Sequence, residues 1–217
     1  MTVRGQATRN RIVEVAAALV AARGASGTSI DDIIAASATS KSQLYHYFTD
    51  KDALIREVIR AQTRRVIGLQ GTCLERIDSL EGLRRWRDDV VAISMANGGA
   101  GGCPVGSLAS ELADGSETAR HLLVEAFETW ETHLERSLRR IRDRGDLEAA
   151  TKTSDLATGL IVALQGGLLL ARTMRNSRPL EVALDMAIDN VARYARTTSV
   201  SAVAGSAVKP GLRSRRR

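Results

Sequence analysis

Residues 28–54 read TSIDDIIAASATSKSQLYHYFTDKDAL. Two short apolar patterns flank Ser37, Ala38 and Thr39, and the second ends by crowding Tyr45, Tyr47 and Phe48 into four positions. The whole chain has only three Tyr, two Phe and two Trp. Nearly half of its aromatic residues therefore stand at one short helix, which composition does not explain. Helix, turn and helix in so few residues, with polar residues opening the second helix, is the pattern of a helix-turn-helix that docks on DNA.

Working outward, Ile12, Val13, Ala16, Leu19 and Val20 recur at helical spacing over about Thr8–Arg23, with Gly24 as the stop. Thr28 or Ser29 caps the next helix, whose first turn holds Asp31 and Asp32, where the helix dipole favours acids. Ser40 is the N-cap expected for the third. Lys41, Ser42 and Gln43 then lie at the helix end that enters a major groove, while Leu44 and Phe48 turn inward. Gln43 has the donor and acceptor to pair with adenine, and Ser42 reaches bases or phosphate. Thr28, Lys41, Tyr45, His46 and Tyr47 are candidates for backbone contacts, which orient without specifying. Lys51 stands at the next helix start, whose free N–H groups also favour phosphate. Arg4 and Arg9 are either an arm toward the duplex or solvated terminal charge.

Taken as a set, Thr28-Ser29-Ile30-Asp31-Asp32-Ile33, Ser40-Lys41, Leu44-Tyr45-His46-Tyr47-Phe48 and Lys51-Asp52-Ala53-Leu54 are similar to the TetR family of bacterial repressors. The resemblance covers about the first quarter of the chain. It implies an all-α protein with an N-terminal three-helix DNA-binding domain and a larger helical ligand-binding and dimerisation domain. Two departures stand out. Ala38 replaces a usual glycine, with Thr39 replacing a usual apolar residue, and Ala25 replaces the aromatic usual after Gly24. An alanine at a left-handed turn position costs about 1 kcal/mol.

The net charge of +6 is unevenly placed. Residues 199–217 carry five of those charges, residues 1–50 one, and residues 51–198 none. Position, not amount, must therefore carry any argument for DNA. Cys73 and Cys103 are too few and too far apart for a disulfide framework or a zinc site. No apolar run approaches the roughly 20 residues of a membrane span. These features point to a soluble cytoplasmic protein with no membrane partner, metal or cofactor.

Beyond the head, apolar stripes predict a long helix from Asp52 to about Gln70, then Leu80–Ala96, Val105–Leu112, Ser116–Arg144, Asp155–Arg175 and a last one from Pro179, about nine helices in all. The organisation read from this is a DNA-binding domain over 1–50, a ligand-binding and dimerisation domain over 51–198, and a basic disordered tail over 199–217. Between Asn97 and Gly106 glycines and Pro104 break the helical pattern. The segment lacks the Lys-Ser/Thr of a phosphate loop and follows no strand. Gly102 to Ala109 instead resembles a stretch in the LmrA/YxaF-like branch of the TetR family, which implies an effector pocket near it. Candidates for that pocket are Trp86, Met95, Cys103, Phe127, Trp130, His133 and Gln165, mostly apolar with few polar groups. On the last two helices Gly159, Ala163 and Gly167 recur at four-residue spacing, and Leu184, Ile188 and Val191 form a stripe. Together they suggest a symmetric four-helix dimer interface, with packing inside one chain as the alternative.

His46, His121 and His133 form no catalytic or metal-binding spacing with acids, Cys or Ser, so no active site is expected. The sequence thus describes a homodimeric repressor that binds a pseudo-palindromic double-stranded DNA operator and is released by a largely apolar small molecule. Alternatives are a DNA-binding factor without ligand control, or one that senses thiols or electrophiles through Cys103.

Overall fold

The computed structural model describes residues 2–96 and 98–196, all helical apart from turns and one isolated bridge. The predicted tail therefore lies outside the described residues. Thr2 caps α1 (Val3–Arg23), which starts earlier than its apolar stripe because the cap, not the stripe, sets the first turn. Gly24 stops it at φ 78°, a left-handed value glycine adopts freely. α2 (Ile30–Ser37) is capped by Ser29, with Asp32 closing a reciprocal capping box. α3 (Lys41–Tyr47) repeats the device with Ser40 and Gln43. Ile12, Ala16, Ile33, Leu44 and Phe48 close the small core beneath these helices.

α4 (Lys51–Glu75) is longer than predicted and packs on both α1 and α7. Gln62 fastens it to α1, its side-chain amide donating to the Ala17 carbonyl in a buried bond of 3.2 Å. α5 (Leu80–Ala96) lies on α9, and α6 (Pro104–Leu112) wedges between α4 and α7. α7 (Glu117–Asp143), α8 (Thr153–Met174) and α9 (Arg178–Ala192) complete the bundle. The α8–α9 pair packs backbone close to backbone. A Cβ at Gly167 would stand 2.8 Å from the Leu180 Cα, so only glycine lets the backbones meet there.

Two sequence expectations change. By length and composition α8 is apolar enough to cross a membrane, although no single run suggested it. Its Leu156, Leu160, Leu164 and Ala171 are instead buried inside the bundle. The predicted interface also splits. Gly167, Leu184, Ile188 and Val191 are buried within the chain, so they seal α8 to α9 instead of facing a partner. Ala163 is half-buried, and Gly159 is exposed with open space above it. The stripe read from sequence was real, but it belonged to intramolecular packing. The apolar residues left in solvent are one helical phase away: Val162, Leu169, Leu170 and Met174 on α8, and Val182 and Met186 on α9.

Candidate nucleic-acid interface and effector cavity

α3 offers its polar side to solvent. Ser40, Lys41, Ser42, Gln43, Tyr45 and His46 are exposed, while Leu44 and Phe48 anchor the helix below. Tyr47 is half-buried, held edge-on by His46 with ring centroids 4.9 Å apart. Gln43 already uses its side-chain oxygen to accept the Ser40 N–H at 3.1 Å, which leaves its amide N–H groups as the outward-facing donors.

The turn that aims α3 is the strained point of the head. Ala38 adopts φ 49° and ψ 46°. Its N–H bonds to Ala35 and that of Thr39 to Ile34, the double closure of a Schellman motif. The unusual Thr39 is buried beside Ser37, their hydroxyls 2.7 Å apart, so each satisfies the other. Ala25, also unusual, fills its site with almost no exposure.

Two expectations about contacts are revised, those for Thr28 and Arg9. Thr28 is fully buried and donates to the Gly24 carbonyl at 2.8 Å, so its hydroxyl closes the α1–α2 turn and does not face a duplex. Arg9 is not a free arm. It pairs with Glu57 at 2.8 Å and lies over the Phe48 ring, tying α1 to α4. Lys51 is half-buried, and its charge acts on Glu111. At the same helix start, the Asp50 carboxylate already accepts the Ala53 N–H at 2.6 Å.

Glu111 was not singled out by sequence. It stands on α6, yet its carboxylate accepts the backbone N–H groups of Ala25, at 2.7 Å, and Ser26 in the α1–α2 turn. Burial works to raise its pKa, but the hydrogen bonds from Ser26 and Ala25 and the Lys51 charge outweigh that and hold it below the ordinary glutamate value. Gly24 leaves room for this carboxylate, since a Cβ there would lie 3.1 Å from it. No local pattern could have revealed a contact that spans 86 positions.

Two cavities flank the glycine-rich segment. The larger, about 300 Å³, lies between α6, α7 and α8 and is lined by Cys103, Gly106, Phe127, Gln165 and Arg172, among others. The smaller, about 160 Å³, is lined by Gln70, Val90, Ser94, Trp130 and Leu168, and the two share Gly102 and Cys103. Four predicted pocket residues, Cys103, Phe127, Trp130 and Gln165, thus come together. Trp86 is buried behind the smaller cavity, its indole N–H donating to Gln70 at 2.8 Å. His133 lines neither cavity and lies over Gly71. Met95 is 60% exposed on the outer side of α5, because the helical phase that suggested an inward position is taken there by Val91 and Ser94.

Cys103 caps α6, its sulfur accepting the Gly106 N–H at 3.3 Å. Burial pushes its thiol pKa up, the reverse of what an electrophile sensor needs.

The description "Bacterial regulatory proteins, tetR family" matches residues 12–58, and "Tetracyclin repressor-like, C-terminal domain" matches residues 79–187, half of the chain. The chain belongs to the TetR family. Among its relatives, the transcriptional regulator LmrA of Bacillus subtilis is 29% identical over 80% of this chain and 90% of that protein. The transcriptional repressor DhaR of a Mycobacterium species is 28% identical over 80% of this chain and 86% of that protein. Among solved structures, a cysteine mutant of the TetR-family regulator CifR, complexed with 26bp double-strand operator DNA, superposes with a TM-score of 0.70 at 21% identity, covering 83% of this chain and 94% of that one. This TetR-family chain is a transcriptional regulator and not an enzyme.

Proposed function

We propose that this TetR-family chain acts in the cytoplasm as a homodimeric repressor, its 1–50 heads binding a pseudo-palindromic operator and its 51–198 body releasing them when a small molecule enters. The observation that carries the reading is the double use of α6. One part of that helix lines the larger cavity through Gly106, Ala109 and Ser110, and the neighbouring Glu111 holds the α1–α2 turn of the head. A ligand that displaces α6 must therefore strain or break those bonds. Operator contacts fall to Ser40, Lys41, Ser42, Gln43, Tyr45 and His46, whose exposure supports that role. The exposed apolar strip on α8 and α9 suits a two-fold interface, which would set two recognition helices about 34–36 Å apart or a multiple of that.

Coupling between effector and operator is expected to be about 1–3 kcal/mol, a 5–150-fold loss of DNA affinity. A gel shift on DNA flanking the gene, repeated with a panel of small molecules, is the test. A retarded band reversed by at least one compound is expected. No band at low salt would overturn the reading of α3, and a band that no compound or extract reverses would favour a factor without ligand control.

A further inference from the structure

The capping box that opens α3 also limits which base edge Gln43 can read. Its side-chain oxygen accepts the Ser40 backbone N–H at 3.1 Å, while the Ser40 hydroxyl oxygen accepts the Gln43 N–H at 3.1 Å. The atom facing the Ser40 N–H must be the oxygen, because a carboxamide nitrogen donates and does not accept. Gln43 is exposed, so its amide nitrogen and both N–H groups are left on the outward side.

The same device on α2 shows that an amide is not needed for capping. There Ser29 pairs with Asp32, whose carboxylate accepts the Ser29 N–H at 2.9 Å and suits the positive end of the helix. The dipole would favour an acid in that place on α3 as well. What Gln43 has and Asp32 lacks is a pair of outward donors without negative charge.

In the major groove adenine offers a donor beside an acceptor, whereas guanine offers two acceptors, N7 and O6. To pair with adenine through both of its groups, Gln43 would have to withdraw its oxygen from Ser40. To pair with guanine it gives up nothing, because the amide nitrogen donates while the oxygen stays on the cap. Cytosine presents a donor there, and thymine a single acceptor beside its methyl group.

We infer that Gln43 is a specificity residue for guanine, reading N7 and O6 through Nε2, with the Ser40–Gln43 box holding the side chain in that orientation. This role rests on the operator-binding reading of α3 and names the base edge that the helix meets.

Selection on randomised duplexes with the full chain, Gln43→Met and Gln43→Glu is the test. Methionine keeps length and neutrality without a donor, and glutamate keeps the capping oxygen without one. Both variants should lose preference at the same base pair. The wild-type pool should hold guanine there, over adenine by about two- to tenfold, the worth of the capping bond that adenine would break. At that position 7-deazaguanine, which lacks N7, should weaken wild-type binding by about fivefold, and inosine, which keeps N7 and O6, should bind within about twofold. Gln43→Met should not distinguish 7-deazaguanine from guanine. The analogue measurements on the wild-type chain stand even if a variant folds poorly. Adenine at that position, equal wild-type binding to guanine and 7-deazaguanine, or variants that keep the wild-type preference would each overturn the guanine assignment and leave the operator reading standing. A wild-type chain that retains no duplex at low salt would sink both.

Discussion

On α3 the side chains left in solvent are Lys41, Ser42, Gln43, Tyr45 and His46, whereas on α8 and α9 they include a set of large apolar ones, Val162, Leu169, Leu170, Met174, Val182 and Met186. Both helical faces are exposed and neither is needed to hold its own core. The polar face can stay hydrated and exchange water for phosphate and base edges at modest cost. The apolar face has no such resting state, and Val162 and Met186 are 65% and 69% exposed, a pattern that marks a protein contact. Exposure alone therefore says little about a surface's role, while the chemistry of what is exposed says which kind of partner completes it.

The largest effect should come from charging the apolar face. The pair Val162→Glu and Met186→Glu leaves the monomer core untouched. It should shift the sedimentation of a dimer to that of one chain and weaken operator binding by about 100-fold or more, roughly 3 kcal/mol, since each symmetric contact would bury unpaired carboxylates. A dimer that persists would mean these helices do not pair.

On the polar face, Gln43→Glu retains the side-chain oxygen that caps Ser40 but removes the outward donor. Selection on randomised operators should show preference relaxed at one base pair by about 1–3 kcal/mol. Lys41→Ala should instead weaken all sequences alike and lower the salt slope by about one. If both variants act identically, the division between reading and positioning is wrong.

Glu111 links the two halves of the comparison. Its pKa is held below the ordinary value, so its contribution is complete above a glutamate's unfolded pKa near 4.5 and is lost as pH falls through the lower folded value. Glu111→Gln should flatten the acid side of the stability curve and cost about 0.5–1 kcal/mol at neutral pH, a modest figure because solvent screens this exposed carboxylate. A melting curve whose pH dependence is unchanged would remove Glu111 from the coupling path.

The smallest effect concerns Ala38. Glycine would relieve a left-handed strain of about 1–2 kcal/mol, against about 0.4–1 kcal/mol of added unfolded-state entropy. The first should win, so Ala38→Gly should raise the melting temperature by about 1–3 °C. A lower melting temperature would show that the turn is not strained.

Much of the head was legible because its determinants are local. The Ser40 cap and the Gly24 stop act within four positions, so spacing along the chain predicts them, whereas the choice of Ser29 over Thr28 and the reciprocal bonds from Asp32 and Gln43 come from the structure. Leu44 and Phe48 followed from helical phase. Thr28 is ambiguous in sequence because a threonine before a helix can cap, touch phosphate or close the preceding turn, and only its 2.8 Å bond to Gly24 decides. In the body, periodicity found the stripes of α8 and α9 but could not say what they met. Met95 and Trp86 failed as cavity residues for the same reason.

By itself the sequence determined the helices, their caps, the polar opening of α3 and the family to which they belong, all consequences of forces acting over a turn or two of chain. Only the tertiary structure decided that Gly167, Leu184, Ile188 and Val191 seal α8 to α9, that Val162 and Met186 remain outside, and that Glu111 reaches the head. Those outcomes depend on which distant surfaces arrive opposite one another, and a stripe of leucines carries the same hydrophobic free energy whether its neighbour is another helix of the chain or a second copy.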